Sequence, residues 1–313
     1  MKNIISWAAL AGLALAGAAC SKVDVEAPTF DASVAKTTFA VGERVPFTLT
    51  GKADNVTFYS GEAGRSYDNR DIYTKAGGVP EMQFLTTIAG GTATIGSQNL
   101  RVLVSTNFSG KLNSASTGYD STEVRKATWT DVTSRVALTA TPTNLSSGVI
   151  SLNDLKIEGQ LMYVAFRYVG TPPLSNAQRT VTIGSFQFRT RYPDGTLYTN
   201  AGTNADVGFS VTDFKNATTA WVSGTTLVHA GAAANATPAD DDWAISTGFD
   251  LTRYLPDNAG GLPVKAGGLP DVVPAVYNYT YTRAGTYTAT FLAQTGNSDE
   301  RKNVVKQLTL TVQ

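Results

Sequence analysis

The chain has 313 residues, 25 basic and 25 acidic side chains, one Cys and one His. Balanced charge removes any general pull toward nucleic acid, and only 16% of residues are charged. A single Cys excludes a disulfide framework within the chain, and one His with one Cys excludes a Cys/His zinc cluster.

The first element is Met1-Lys2-Asn3, then the apolar run Ile4–Ala16, then Gly17-Ala18-Ala19-Cys20. A basic start, a short apolar stretch and small residues before a cleavage point predict a secretory signal over residues 1–19. Ile4–Ala19 is too short and too rich in Ala and Gly for the ~20 residues of a membrane span. Gly17-Ala18-Ala19-Cys20 resembles a bacterial lipobox, with Gly17 where Leu is usual. That resemblance implies a diacylglycerol thioether on Cys20, a membrane contact made through the lipid, and an outer-membrane, cell-surface location. With Cys20 so used, no thiol remains for catalysis or metal binding. Residues 20–30 read as a tether; Lys22, Asp24 and Glu26 resemble the surface-export signals of Bacteroidota lipoproteins.

From Ser33 onward the pattern is β. Val45, Phe47 and Leu49 alternate with polar residues, the mark of a half-buried strand, and Asp54-Asn55 turns into Val56–Tyr59. In the middle block, strands are expected at Leu100–Ser105, Gly148–Leu152, Leu161–Tyr168, Thr180–Arg189 and Thr226–His229. Tyr163–Tyr168 has no polar break before Arg167 and reads as a strand buried on both faces. Phe186, Phe188 and Tyr192 share one face of the next long strand; Gln187, Arg189 and Arg191 share the other. No segment of ten or more residues has a 3.6-residue apolar period, and only Asn153–Leu155 suggests a helical turn. Many short strands with turn-rich joints predict an all-β sandwich or jelly roll.

At the C-terminal end, Tyr277–Tyr281 alternates aromatic and polar residues, Arg283-Ala284-Gly285 turns, Thr286–Ala293 follows, and Val304–Val312 closes after a polar loop at Asn297–Lys302. Tyr279, Tyr281 and Ala284-Gly285-Thr286-Tyr287-Thr288 resemble the second half of a PKD-type, Ig-like sandwich; Val41-Gly42-Glu43 before Val45 resembles its opening turn. The resemblance implies one PKD-like sandwich made of residues 31–75 and 270–313, with a jelly-roll domain over 81–255 inserted between them. Three consecutive small domains is the alternative. Asn99–Gly110, Ala127–Thr133, Tyr163–Tyr168 and Thr180–Phe186 look like the jelly rolls of Bacteroidota surface lipoproteins, with Val181 where those domains carry Trp. Over the mature chain the sequence is similar to an uncharacterised family of such proteins. The family implies an outer-membrane glycan-uptake complex as partner and carries no catalytic residues to transfer.

For chemistry, a Ser-His-Asp triad would have to use His229, which ends a strand and reads as a surface or edge residue; no Gly-x-Ser-x-Gly elbow exists. A two-carboxylate hydrolase would draw on Glu26, Glu43, Glu62, Glu81, Glu123, Glu158 or Glu300. Glu62, between Tyr59 and Arg65, stands out, with a turn carboxylate paired to Arg65 as the plainer reading. Asp240-Asp241-Asp242 offers oxygens for a structural Ca²⁺, against a solvated acidic loop. Trp129, Trp221, Trp243, Tyr192 and Tyr198 are the aromatics on which a pyranose could stack, against places in the core, where Trp243 fits. The expectation is a non-catalytic, lipid-anchored surface protein that binds glycan or another exported partner, with no cofactor, no catalytic residue and no nameable ligand-binding residue. A structural or adhesive spacer and a divergent carboxylate hydrolase are the alternatives.

Overall fold

The computed structural model describes residues 24–90, 99–138, 143–170, 177–215, 219–233, 240–262 and 273–313. The signal segment 1–19, Cys20 and Pro270 lie outside the described residues. The described residues form β1 (Asp31–Val34), β2 (Thr38–Phe39), β3 (Arg44–Thr50) and β4 (Asn55–Tyr59). Next come β5 (Val79–Ala89), β6 (Leu100–Ser105), α1 (Ser121–Lys126), β7 (Thr130–Asp131), β8 (Leu145–Ser146) and β9 (Ile150–Ser151). They are followed by β10 (Tyr163–Gly170), β11 (Thr180–Arg191), β12 (Leu197–Ala201), α2 (Asn204–Val207), β13 (Ser210–Asp213), β14 (Trp221–Ser223), β15 (Leu227–His229) and β16 (Asp240–Ile245). The last are β17 (Gly260–Leu262), β18 (Val276–Thr280), β19 (Gly285–Gly296) and β20 (Arg301–Val312). The protein is all-β, and no helix among the described residues is long and apolar enough to cross a membrane.

Two compact units result: residues 1–60 with 260–313, and residues 61–259. Residues 61–75 belong to the second. In the first unit, strands from both ends of the chain interleave. One sheet runs β1-β3-β18 and the other β17-β4-β19-β20-β2. Between them pack Phe30, Phe47, Phe58, Phe291 and Tyr281, all buried because alternate residues of β3, β4 and β19 face inward. Phe58 and Phe291 lie 4.9 Å apart, centroid to centroid. The Tyr281 hydroxyl donates to the Ser60 carbonyl at 2.8 Å, which satisfies a polar tip inside this core. Of residues 20–30, expected to be a tether, Thr29 and Phe30 belong to the first unit's fold. Thr29 donates its amide to Lys52, and Phe30 fills the core. Gly51 permits this: a Cβ there would fall 1.6 Å from the Thr29 carbonyl oxygen, and its φ is +93°.

In the second unit, the sheet β13-β16-β10-β6-β7 faces the sheet β14-β15-β11-β5-β8, with β12 on β11 and β9 on β5. Strand β10 is buried on both faces. Val164, Phe166 and Tyr168 enter the inter-sheet core, while Tyr163 and Ala165 enter a second cluster on the outer face. That outer cluster is roofed by α1, through Val124, and by the loop carrying Phe108, Tyr119 and Trp129.

Strand β11 changes parity along its length. Val181 and Ile183 face the core, then Phe186 and Phe188 do. A bulge between Gly184 and Gln187 absorbs the shift, with Ser185 at φ 48°. Asn204 on α2, 2% exposed, repairs the ladder: its Oδ1 accepts from the Phe186 amide and its Nδ2 donates to the Ile183 carbonyl.

Candidate functional site

Three polar features stand out, all in the second unit. The first is a groove of about 220 Å³ between the β6–β7 edge and the turn after β9, lined by Val104, Ser105, Thr106, Asn107, Thr128, Thr130, Leu155 and Ile157. None of these side chains is ionisable. Asn107 is fixed in place: its Oδ1 accepts from the Ser105 hydroxyl and the Thr128 amide, and its Nδ2 donates to the Thr128 hydroxyl. Ile157 is 53% exposed beside this hydroxyl row. The arrangement presents hydroxyls and an amide over an aliphatic floor, the pairing that orients a neutral polyhydroxylated ligand. The volume is below the ~300–1,000 Å³ of sites that enclose drug-sized ligands.

The second feature is a polar layer at one end of the inter-sheet core. Asp213 and Asp242 are directly opposed across β13 and β16, and Tyr168 opposes Asp242 on β10. His229 comes from the facing sheet. Its Nε2 lies 2.8 Å from Asp242 Oδ2, its ring stacks on Tyr168 at 3.9 Å, and Trp221 meets it edge-on at 5.2 Å. His229 and Asp242 are both wholly buried. Burial lowers the His229 pKa to about 4; burial, then the hydrogen bond and charge of Asp213, raise that of Asp242 to about 9. The pair stands at ion-pair distance, yet desolvating two charges costs several kcal/mol each, so the neutral form prevails near pH 7.

The third is a hub on Tyr254. Its hydroxyl donates to Asp257 at 2.7 Å, meets Thr196 at 3.2 Å and accepts from Asn69 at 3.3 Å; Asp194 lies 3.4 Å away and pairs with Lys75. Asp257 also accepts from the Ser66 amide. These contacts tie residues 66–75 to 250–257 and read as a structural staple.

The sequence-selected residues scatter. His229 is an interior residue of the sandwich, not a surface or edge one, because the inward face of β15 places it between two aromatic rings. Asp240–Asp242 form a strand, not a solvated loop. Period two turns Asp240 and Asp242 inward and sends Asp241 outward, where it makes a two-pronged pair with Arg167. Among the described residues no three His, Cys, Asp or Glu side chains are placed to hold a metal ion. Trp221, Trp243 and Tyr192 are core residues, and Trp129 and Tyr198 are half-buried, so these five form no exposed stacking row. Glu62 sits in a turn where its carbonyl accepts from the Arg65 amide. Glu81 is buried in a two-pronged pair with Arg191, and Glu43 pairs with Lys36. The groove residues went unnoticed because single Ser, Thr and Asn side chains carry no pattern that marks a site.

Comparison with known proteins adds one finding. A family model described as Domain of unknown function (DUF5017) matches residues 19–209. That span includes the groove and stops before β13, so Asp213, His229 and Asp242 lie beyond it. No curated protein and no solved structure matches the chain.

Proposed function

We propose that this chain, which belongs to the DUF5017 family, is a non-catalytic surface lipoprotein that binds one residue of a neutral glycan in the Asn107 groove. The observation that carries this reading is the groove's chemistry: hydroxyls, a fixed carboxamide and an aliphatic floor, with no ionisable side chain. The lipobox-like Gly17-Ala18-Ala19-Cys20 supports anchoring at the outer membrane, and a PKD-like sandwich would carry the binding unit. None of the groove-lining residues is aromatic, so affinity for a single sugar is expected to be weak.

The test is retention on neutral and charged polysaccharide gels, wild type against Asn107→Ala and Ile157→Asp. Retention on a neutral gel, lost in both variants, is the expected result. Retention that survives both variants removes the groove from the reading, and no retention on any gel sinks glycan binding. A second reading, an adhesive or spacer protein, is favoured by the core placement of Trp221, Trp243 and Tyr192. It predicts no retention on any gel. Anchoring is tested apart from binding: Cys20→Ala should move the protein from the membrane to the soluble fraction.

A further inference from the structure

The polar layer needs an explanation that a glycan site does not supply. Two carboxylates opposed in adjacent strands repel each other unless something positive lies between them. Yet Asp213 and Asp242 are directly opposed in the pairing of β13 with β16, one oxygen of each is buried, and neither of those oxygens has another partner. Two carboxylates have no proton to share, so a hydrogen bond between them requires one to be an acid. Among the described residues, the charged groups that act on Asp242 are Asp213, Asp240 and Asp241, with no cation among them. From the strand of Asp242 itself, Asp240 and Asp241 add two further carboxyl groups beside it. From β10 the neutral Tyr168 faces the layer and donates to the Arg179 carbonyl. From β14 the Trp221 Nε1 donates to the Asp242 carbonyl. From the facing sheet, His229 has a buried Nδ1 with no partner, so the tautomer that uses Nε2–H toward Asp242 Oδ2 leaves no donor stranded. Asp242 Oδ1 is equally buried and unpartnered as a carboxylate oxygen; a proton there gives it a use.

We propose that Asp213 and Asp242 hold one proton between them at neutral pH, and that this proton latches the two sheets of the second unit through the chain Asp213–Asp242–His229. Removing it places the charge of the wholly buried Asp242 directly opposite that of the half-buried Asp213 and loosens that end of the sandwich. The latch is independent of any ligand in the groove.

The linkage has a definite sign. A carboxyl whose folded pKa is raised from 3.8 to about 9 contributes stability that is present at low pH and lost as pH rises through that interval. An imidazole lowered from 6.5 to about 4 contributes stability that is present above 6.5 and lost as pH falls. Between pH 4 and 6.5 the folded state keeps the Asp242 proton and the unfolded chain keeps the His229 proton, so the two effects offset and the pair adds no slope. From pH 6.5 to 9 the folded state alone holds a proton. The unfolding constant should then rise by up to about tenfold per pH unit.

Urea unfolding of the full-length protein, followed from pH 5 to 9.5, reads this directly. In wild type the alkaline rise should appear. In Asp242→Asn it should vanish, and a rise in stability from pH 5 to 6.5 should appear in its place, because the His229 shift is no longer offset. Asp213→Asn, whose amide can donate to Asp242, should shrink the alkaline rise and end it at lower pH, since the burial of Asp242 remains while the hydrogen bond and charge of Asp213 are gone. Either variant folding with the wild-type alkaline rise overturns the latch. So does a wild-type midpoint at pH 7 that rises with 1 mM CaCl₂ over chelator and loses that rise in Asp242→Asn, since a cation would then occupy the proton's place.

Discussion

The two units solve the same problem, closing a sandwich between two sheets, with different interiors. In the first, the buried layer is aromatic and aliphatic from end to end, and the Tyr281 hydroxyl is a polar atom within it. In the second, an equally apolar centre around Phe84, Phe166 and Phe186 gives way at one end to His229, Asp240 and Asp242. Apolar burial is indifferent to pH, whereas a buried titratable layer makes stability a function of it. The difference therefore predicts two sandwiches that respond alike to cavities and unlike to protons.

Cavities should give the largest effects and erase the difference. Phe291→Ala in the first unit and Phe166→Ala in the second each remove a wholly buried ring held by several aromatic neighbours. Each should cost about 3–5 kcal/mol in urea unfolding, with the loss the same at pH 6 and pH 9. A loss that changed with pH for Phe291→Ala would break the contrast between the interiors.

Next is Asn204→Ala, expected to cost about 3 kcal/mol. It strands the Phe186 amide and the Ile183 carbonyl at the β11 bulge, and each buried orphan costs about 1–3 kcal/mol. Asn204→Asp should restore the acceptor but not the donor and recover part of the loss. Raising the pH from 6.5 to 9 should cost the second unit about 2–3 kcal/mol, from one linked proton at about 1.4 kcal/mol per pH unit. Amide exchange resolved by peptide should show β13–β16 losing protection across that range while β3, β4 and β19 keep theirs. Parallel loss in both units would sink the comparison.

What the chain disclosed in advance follows the same division. Apolar alternation was legible: Val45, Phe47 and Leu49 point inward, and Tyr163–Phe166 is buried on both faces because a second cluster covers the outer side of β10. Even the β11 bulge is written as a parity change from Ile183 to Phe186. Strand β5 was missed because Pro80 and the buried Thr86 interrupt its apolar pattern, although Met82, Phe84 and Ile88 keep period two. The short helices, of six and four residues, are too short to show a 3.6-residue apolar period and are signalled only by Asp120 before α1 and the Thr203/Asp206 capping box at the start of α2. The polar layer was illegible for a stronger reason. Asp240-Asp241-Asp242 looks solvated by composition, and only the pairing of β16 with β10 and β13 reveals that two of the three are interior.

Asp241 supplies the smallest and most discriminating change, because it lies one residue from the latch on the opposite face. It meets Arg167 through two hydrogen bonds of 2.7 and 2.9 Å and accepts from Trp243 Nε1 at 3.0 Å, with Arg167 stacked 5.1 Å over the Trp243 ring. Part of this network reaches solvent, so screening and side-chain entropy reduce its worth to about 1 kcal/mol or less. Asp241→Asn should cost that much at low salt and less at high salt; because Asp241 is the last and smallest of the causes raising the Asp242 pKa, it should end the alkaline rise slightly earlier but keep its slope. Asp242→Asn, its neighbour, should abolish that slope and be indifferent to salt. If Asp241→Asn flattened the pH dependence as well, the inward and outward faces of β16 would be electrostatically one site, and the contrast between a proton-linked interior and a salt-screened exterior would fail.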